Sequence, residues 1–145
     1  TTLSLDDTKL IVQAIKKKFD YVIEPRKNDI CYATTNRQEA VKKIAALCDV
    51  FIVIGAKNSS NSIRLVEVAK LNGAKKSLLL ENIEKFNIEI LDNVKNIGLT
   101  ASASAPEILV QNFIEILKKK YDITVNEQDY IPENVNFKIP QQLKQ

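Results

Sequence analysis

An α/β fold with a parallel sheet and crossover helices is what the sequence predicts, and three observations lead there. Short apolar runs alternate with longer stretches of helical periodicity, the pattern of strands joined by crossover helices. One run, Val50–Ile54, is apolar at every position, as in a strand buried on both faces. Three polar loops, Cys31–Asn36, Lys57–Ser62 and Thr100–Ser104, each fall between an expected strand and an expected helix. In a doubly wound sheet such junctions lie along the carboxyl edge, where ligands bind.

Taken in order, Leu10, Ile11, Ala14, Ile15 and Phe19 recur at helical spacing, with Ser4 and Asp7 placed to cap that helix. Tyr21–Ile23 is a short strand candidate before a turn at Pro25, and Asp29–Thr34 reads as extended. Thr35 and Gln38 form a capping-box pattern for a helix reaching about Cys48, with Ala40, Val41, Ile44, Ala45 and Cys48 on one face. After Val50–Ile54, Gly55 ends the strand, and the polar Lys57–Ser62 segment opens a helix through Leu71 that Asn72-Gly73 stops. Ser77–Leu80 is the next strand, Ile83–Leu91 a weak helical stretch, and Ile97–Leu99 another strand. Ser104 and Glu107 make a further capping box, with Pro106 tolerated in the first turn and Leu109, Phe113, Ile116 and Leu117 inward. Ile123–Val125 reads as a last short strand, and Phe137–Ile139 as a docking strand in an extended tail. The most self-contained unit is therefore 28–120, with 1–27 the end of a preceding α/β domain and 121–145 a C-terminal tail.

Composition removes several function classes. The net charge of +3 is mild, and the lysine triplets Lys16–Lys18 and Lys118–Lys120 fall at helix ends, where they complement the helix dipole. No aromatic residues interleave with them as a stacking platform, so a nucleic-acid partner is not expected. No apolar run is long enough to span a membrane, and the two cysteines do not suggest a disulfide framework; a cytoplasmic protein with reduced thiols is expected. The absence of histidine removes the usual general base and the commonest metal ligand. The chain opens on Thr1 and enters a helix cap almost at once, as a piece of a longer protein would.

The Lys57–Ser62 stretch carries the clearest chemistry. A helix N-terminus offers unpaired N–H groups and partial positive charge, so an anion such as phosphate binds there readily. One cap needs only one polar side chain, yet five polar residues follow Lys57. Ser59, Ser60 and Asn61 add donors, and Lys57 adds charge. The segment lacks the glycines and terminal Lys-Ser/Thr of a P-loop. Ser104 is already explained as a cap, although its small-residue neighbours would let a ligand approach the backbone. Cys48 belongs to an apolar helix face and reads as core. Cys31 stands at a loop mouth, where a thiolate reaches a metal or cluster, but one ligand does not make a site. The scattered carboxylates Glu24, Asp29, Glu39, Glu67 and Glu107 form no acid/base pair.

Four segments together carry a resemblance: Thr1-Thr2-Leu3-Ser4; Asp29–Thr34 with Asn36-Arg37-Gln38; Lys57–Ser62 with Arg64-Leu65; and Thr100-Ala101 with Ala103–Pro106. In this order and spacing they closely resemble the C-terminal half of the 4-hydroxy-3-methylbut-2-enyl diphosphate reductase family, the last enzymes of the non-mevalonate isoprenoid pathway. The resemblance implies three α/β domains in a trefoil around a [4Fe-4S] cluster, of which this chain would form one and a part. It implies that Cys31 is the third cluster cysteine, that Ser59, Ser60, Asn61 and Ser104 hold the substrate diphosphate, and that Thr1 has a catalytic place near the reacting hydroxyl. It also implies reductive dehydroxylation of an allylic diphosphate to isopentenyl and dimethylallyl diphosphate, with electrons from a small carrier such as flavodoxin or ferredoxin. The family's other two cluster cysteines, its diphosphate-binding histidines and its glutamate proton donor have no counterpart in this chain, so the fragment alone is expected to be inactive. The alternative reading from the residues is a non-catalytic binding module for a phosphorylated metabolite. A purely structural domain would leave the three aligned polar loops unexplained.

Overall fold

The computed structural model describes residues 5–24 and 31–127. The sequence assignments at Thr1, Ser4, Pro25, Asp29 and Phe137–Ile139 lie outside them. The elements run α1 (Leu5–Lys18), α2 (Tyr32–Ala45), β1 (Val50–Ile54), α3 (Ser60–Leu71), β2 (Lys76–Leu80), β3 (Ile97–Ala101) and α4 (Glu107–Lys120).

The three strands are parallel in the order β2-β1-β3. Side chains alternate across a strand, and β1 is apolar throughout because both of its faces are covered. Phe51 and Val53 pack with Val41, Ala45, Cys48, Leu65, Val68 and Ala69 from the α2–α3 side. Val50, Ile52 and Ile54 pack on the opposite face with Leu80, Leu91, Phe113 and Leu117. Phe113 meets Phe86 edge to face at 5.4 Å and 79°. Asp49 locks the amino edge, accepting from the N–H groups of Lys95 (3.1 Å) and Asn96 (3.0 Å) and pairing with Lys75 at 2.6 Å. Gly73, at φ +99°, provides the left-handed stop after α3.

Several local expectations are corrected. Tyr21–Ile23 is irregular with Tyr21 and Ile23 exposed, and Ile123–Val125 joins no strand pairing among the described residues. An apolar triplet has strand propensity, but it becomes a strand only where a neighbour takes its hydrogen bonds. α2 starts at Tyr32 rather than after Thr35, with Cys31 as its cap residue and no side-chain cap bond. It ends at Ala45, and a tight turn continues to Cys48. The Ile83–Leu91 stretch is two short 3-10 turns, Ile83–Lys85 and Ile88–Leu91, each opened by an asparagine that accepts an N–H two residues on. α4 begins at Glu107 after Pro106, so Ser104 is not its N-cap, and Ile116 is partly exposed.

The expected apolar face of α1 is also uncovered. Leu10, Ile11, Ile15 and Phe19 are exposed, while the helix meets α2 and α3 through Asp6–Lys42 (2.8 Å) and Asp7–Arg64 (3.3 Å). Periodicity reports which side chains share a face, not what that face meets. No described helix is long and apolar enough to cross a membrane.

Candidate functional site

The carboxyl edge of the sheet gathers the polar loops. β1 ends at Ile54, whose carbonyl accepts the N–H of Ser102 at 2.9 Å, so the end of β3 is tied to the end of β1. Arg37, on α2, donates through Nε to the carbonyl of Ala101 at 3.2 Å and through Nη1 to that of Ala33 at 3.3 Å. That side chain anchors the start of α2, and with it the Cys31 region, to the end of β3.

Ser59 caps α3: its extended backbone (φ −94°, ψ 108°) precedes the helix, and its Oγ accepts the N–H of Ser62 at 3.3 Å. The first N–H groups of a helix have no intrahelical acceptor. With that of Ser62 taken by the cap, those of Ser60 and Asn61 remain at an end carrying partial positive charge. Ser60 is exposed, and both amide atoms of Asn61 are shielded from solvent without a partner. The hydroxyls of Ser62 and Ser102 share that condition. Unpartnered polar atoms are rare in interiors, and their concentration here calls for an explanation.

Gly55 is required by the packing at this corner. A Cβ there would lie 2.3 Å from Ser62 Oγ, 2.9 Å from Ser62 Cβ and 3.0 Å from Ser102 Oγ. The loop itself is braced by Glu81 at the end of β2, which accepts the Lys57 N–H at 2.7 Å and pairs with its ammonium at 2.7 Å. The hydrogen bond to Lys57 lowers the Glu81 carboxyl pKa, and the same bond raises that of the Lys57 ammonium. Lys57, expected to lend charge to an anion, is engaged by the Glu81 carboxylate instead.

Cys31 is exposed at the α2 start, where its carbonyl accepts the N–H groups of Thr34 (2.9 Å) and Thr35 (3.1 Å) while its thiol makes no cap bond. Cys48 is buried in the core with its Sγ donating to the Ile44 carbonyl at 3.2 Å, and burial pushes its thiol pKa up. No group of three or more His, Cys, Asp or Glu side chains suited to a metal ion occurs among the described residues. Ser104 lies exposed in the β3–α4 turn, and Thr1 lies outside the described residues. Glu81 and Ser102 had no assigned part in the sequence reading, while Gly55 stood there only as the end of a strand and Arg37 only within the motif that carries the resemblance.

Comparison with known proteins places the chain in a family. The family model of the LytB protein matches residues 1–118. A protein of Wigglesworthia glossinidia brevipalpis named 4-hydroxy-3-methylbut-2-enyl diphosphate reductase is 53% identical over 145 residues, covering 99% of this chain and 46% of the relative. One from Phenylobacterium zucineum with the same name is 48% identical over 143 residues, covering 99% and 45%. The solved E-1-hydroxy-2-methyl-but-2-enyl-4-diphosphate reductase of Plasmodium falciparum superposes with a TM-score of 0.76 at 43% identity, over 81% of this chain and 37% of that one. The chain thus spans less than half the length of the relatives it matches. By its sequence match over most of its length, the chain belongs to the LytB protein family.

Proposed function

We propose that this chain is part of a 4-hydroxy-3-methylbut-2-enyl diphosphate reductase and carries one wall of its substrate site and one cluster cysteine. The overall reaction removes the allylic hydroxyl as water with two electrons and two protons, giving isopentenyl and dimethylallyl diphosphate. The observation that carries the reading is the α3 start, where Ser59, Ser60 and the unpartnered Asn61 amide stand on a helix N-terminus suited to a diphosphate. In this reading Ser104, exposed in the β3–α4 turn, adds a hydroxyl donor.

The resident cofactor of this reading is a [4Fe-4S] cluster. Cys31 suits one ligand position, because its thiol is exposed and has no capping role. Cys48 is committed to the core, so the remaining cysteine ligands come from outside this chain. When bound, the cluster supplies electrons and an open iron as Lewis acid for the allylic oxygen. The chain's own contribution is positional: the α3 start fixes the diphosphate and thereby the far end of a short substrate. Thr1 completes the proposal as a residue near the reacting hydroxyl, and the electron donor is a small carrier such as flavodoxin or ferredoxin. The domain division proposed is 1–27, 28–120 and 121–145.

The test uses the full-length protein reconstituted without oxygen. Wild type shows a broad iron–sulfur absorbance near the visible region and reduces the allylic diphosphate; Cys31→Ser loses both. A wild-type cluster spectrum in Cys31→Ser would refute the ligand assignment.

A further inference from the structure

Ser62 and Ser102 present a problem that the diphosphate reading does not solve. Both are almost wholly buried, at 0% and 1% exposure, and neither hydroxyl has a partner. Leaving a buried hydroxyl unpaired is costly, and serine at two such neighbouring positions is a poor choice for packing alone. The two come from different elements. Ser62 lies in the first turn of α3, one residue after Asn61, whereas Ser102 directly follows β3 in the turn that carries Ser104. They converge on one point above Gly55, at 2.3 Å and 3.0 Å from where its Cβ would stand. Glycine keeps that point clear of a methyl group and so lets the hydroxyls approach it.

We infer that Ser62 and Ser102 are positioning residues: their hydroxyls, not bonded to each other as they stand, join as one hydrogen-bonded unit above Gly55 by a small side-chain rotation or through a single ordered water, locking the α3 start to the β3–α4 turn. The backbone of the β3–α4 turn is already tied to the end of β1, since Ser102 N donates to the Ile54 carbonyl at 2.9 Å. That bond fixes only the root of the turn. The side-chain unit fixes the height of the α3 start above it, and so the spacing between Asn61 and Ser104. Two loops that must grip one anion need such a constraint, because a small misplacement weakens every contact made together. The positioning role rests on the diphosphate reading, whereas the pairing itself does not.

A double-mutant cycle on the full-length protein tests it, with Ser62→Ala, Ser102→Ala and the double variant. The readouts are Tm and titration with inorganic pyrophosphate. If the hydroxyls form one unit, each single alanine strands the other hydroxyl. Tm then falls in both singles and recovers largely in the double, as coupled residues do not add. Pyrophosphate binding weakens roughly two- to tenfold in each single variant, the range set by one hydrogen bond. If the hydroxyls are independent, removing each unpaired group raises Tm and the two changes add, which overturns the pairing. Coupled Tm changes with unaltered pyrophosphate affinity would overturn the positioning role and leave the pair purely structural. Coupled Tm changes in a protein whose wild type ignores pyrophosphate would sink the diphosphate reading instead, and with it the positioning role.

Discussion

Substituting Gly55 by alanine isolates what the carboxyl edge contributes. The added methyl would stand 2.3 Å from Ser62 Oγ and 2.9 Å from Ser62 Cβ. Ordinary contact needs about 3.5 Å, so the α3 start must retreat by about 1 Å. Overpacking of this kind costs about 1–3 kcal/mol, which a domain stable by about 5–15 kcal/mol survives. A shift of about 1 Å in a positioning element costs on the order of a hundredfold in function. Gly98→Ala is the matched control. Its methyl would meet the Phe51 ring at 2.4 Å and 2.6 Å and Cys48 Sγ at 2.8 Å, an overpacking as severe, but in the amino half of β3. Both variants should lose comparable stability in urea, while only Gly55→Ala loses pyrophosphate affinity and turnover in the full-length protein. Unaltered pyrophosphate binding in folded Gly55→Ala, or an equal loss in Gly98→Ala, would refute the reasoning.

Three further outcomes are expected. Ser59→Ala removes the acceptor for the Ser62 N–H, so α3 loses about 1 kcal/mol of capping together with one donor of the proposed diphosphate site; calorimetry and pyrophosphate titration read the two effects separately. Asp49 has its carboxyl lowered from 3.8 to about 2, first by the Lys75 hydrogen bond and then by the Asn96 and Lys95 N–H groups. A depressed carboxylate contributes stability that is complete above its ordinary value and disappears as pH falls toward the folded one. Circular dichroism should therefore show an acid-unfolding component between pH 3.8 and about 2 that Asp49→Asn lacks. Phe113→Ala should cost about 3–5 kcal/mol in denaturant, because the ring is fully buried and packs edge to face against Phe86.

Much of the fold was legible because β1 and its helices state their burial locally. Val50–Ile54 reads as a two-face strand at every residue, and Val41, Ala45 and Cys48 share the face that the core covers. The errors occurred where a local signal competes with a neighbour. Ser104 and Glu107 have capping-box spacing, yet the helix starts after Pro106, whose fixed φ suits a helix entry. Thr35 has the same cap chemistry as Ser59, but the turn at Cys31 already begins the helix, and the Thr35 hydroxyl bonds back to the Cys31 carbonyl at 3.4 Å. Capping chemistry marks where a helix is able to begin, while backbone context selects among such places.

The sequence by itself determined that the polar Lys57–Ser62 stretch opens a helix directly after a buried strand, since helix-start hydroxyls act within one turn of chain. It also separated Cys48 from Cys31, because a helical face is a local property. Tertiary structure alone decided that Ser62 and Ser102 converge, that Gly55 must lack a side chain, and that Glu81 claims Lys57. These partners lie far apart in the chain and meet only because parallel pairing of β1 with β2 and β3 brings the carboxyl ends of all three strands to one edge.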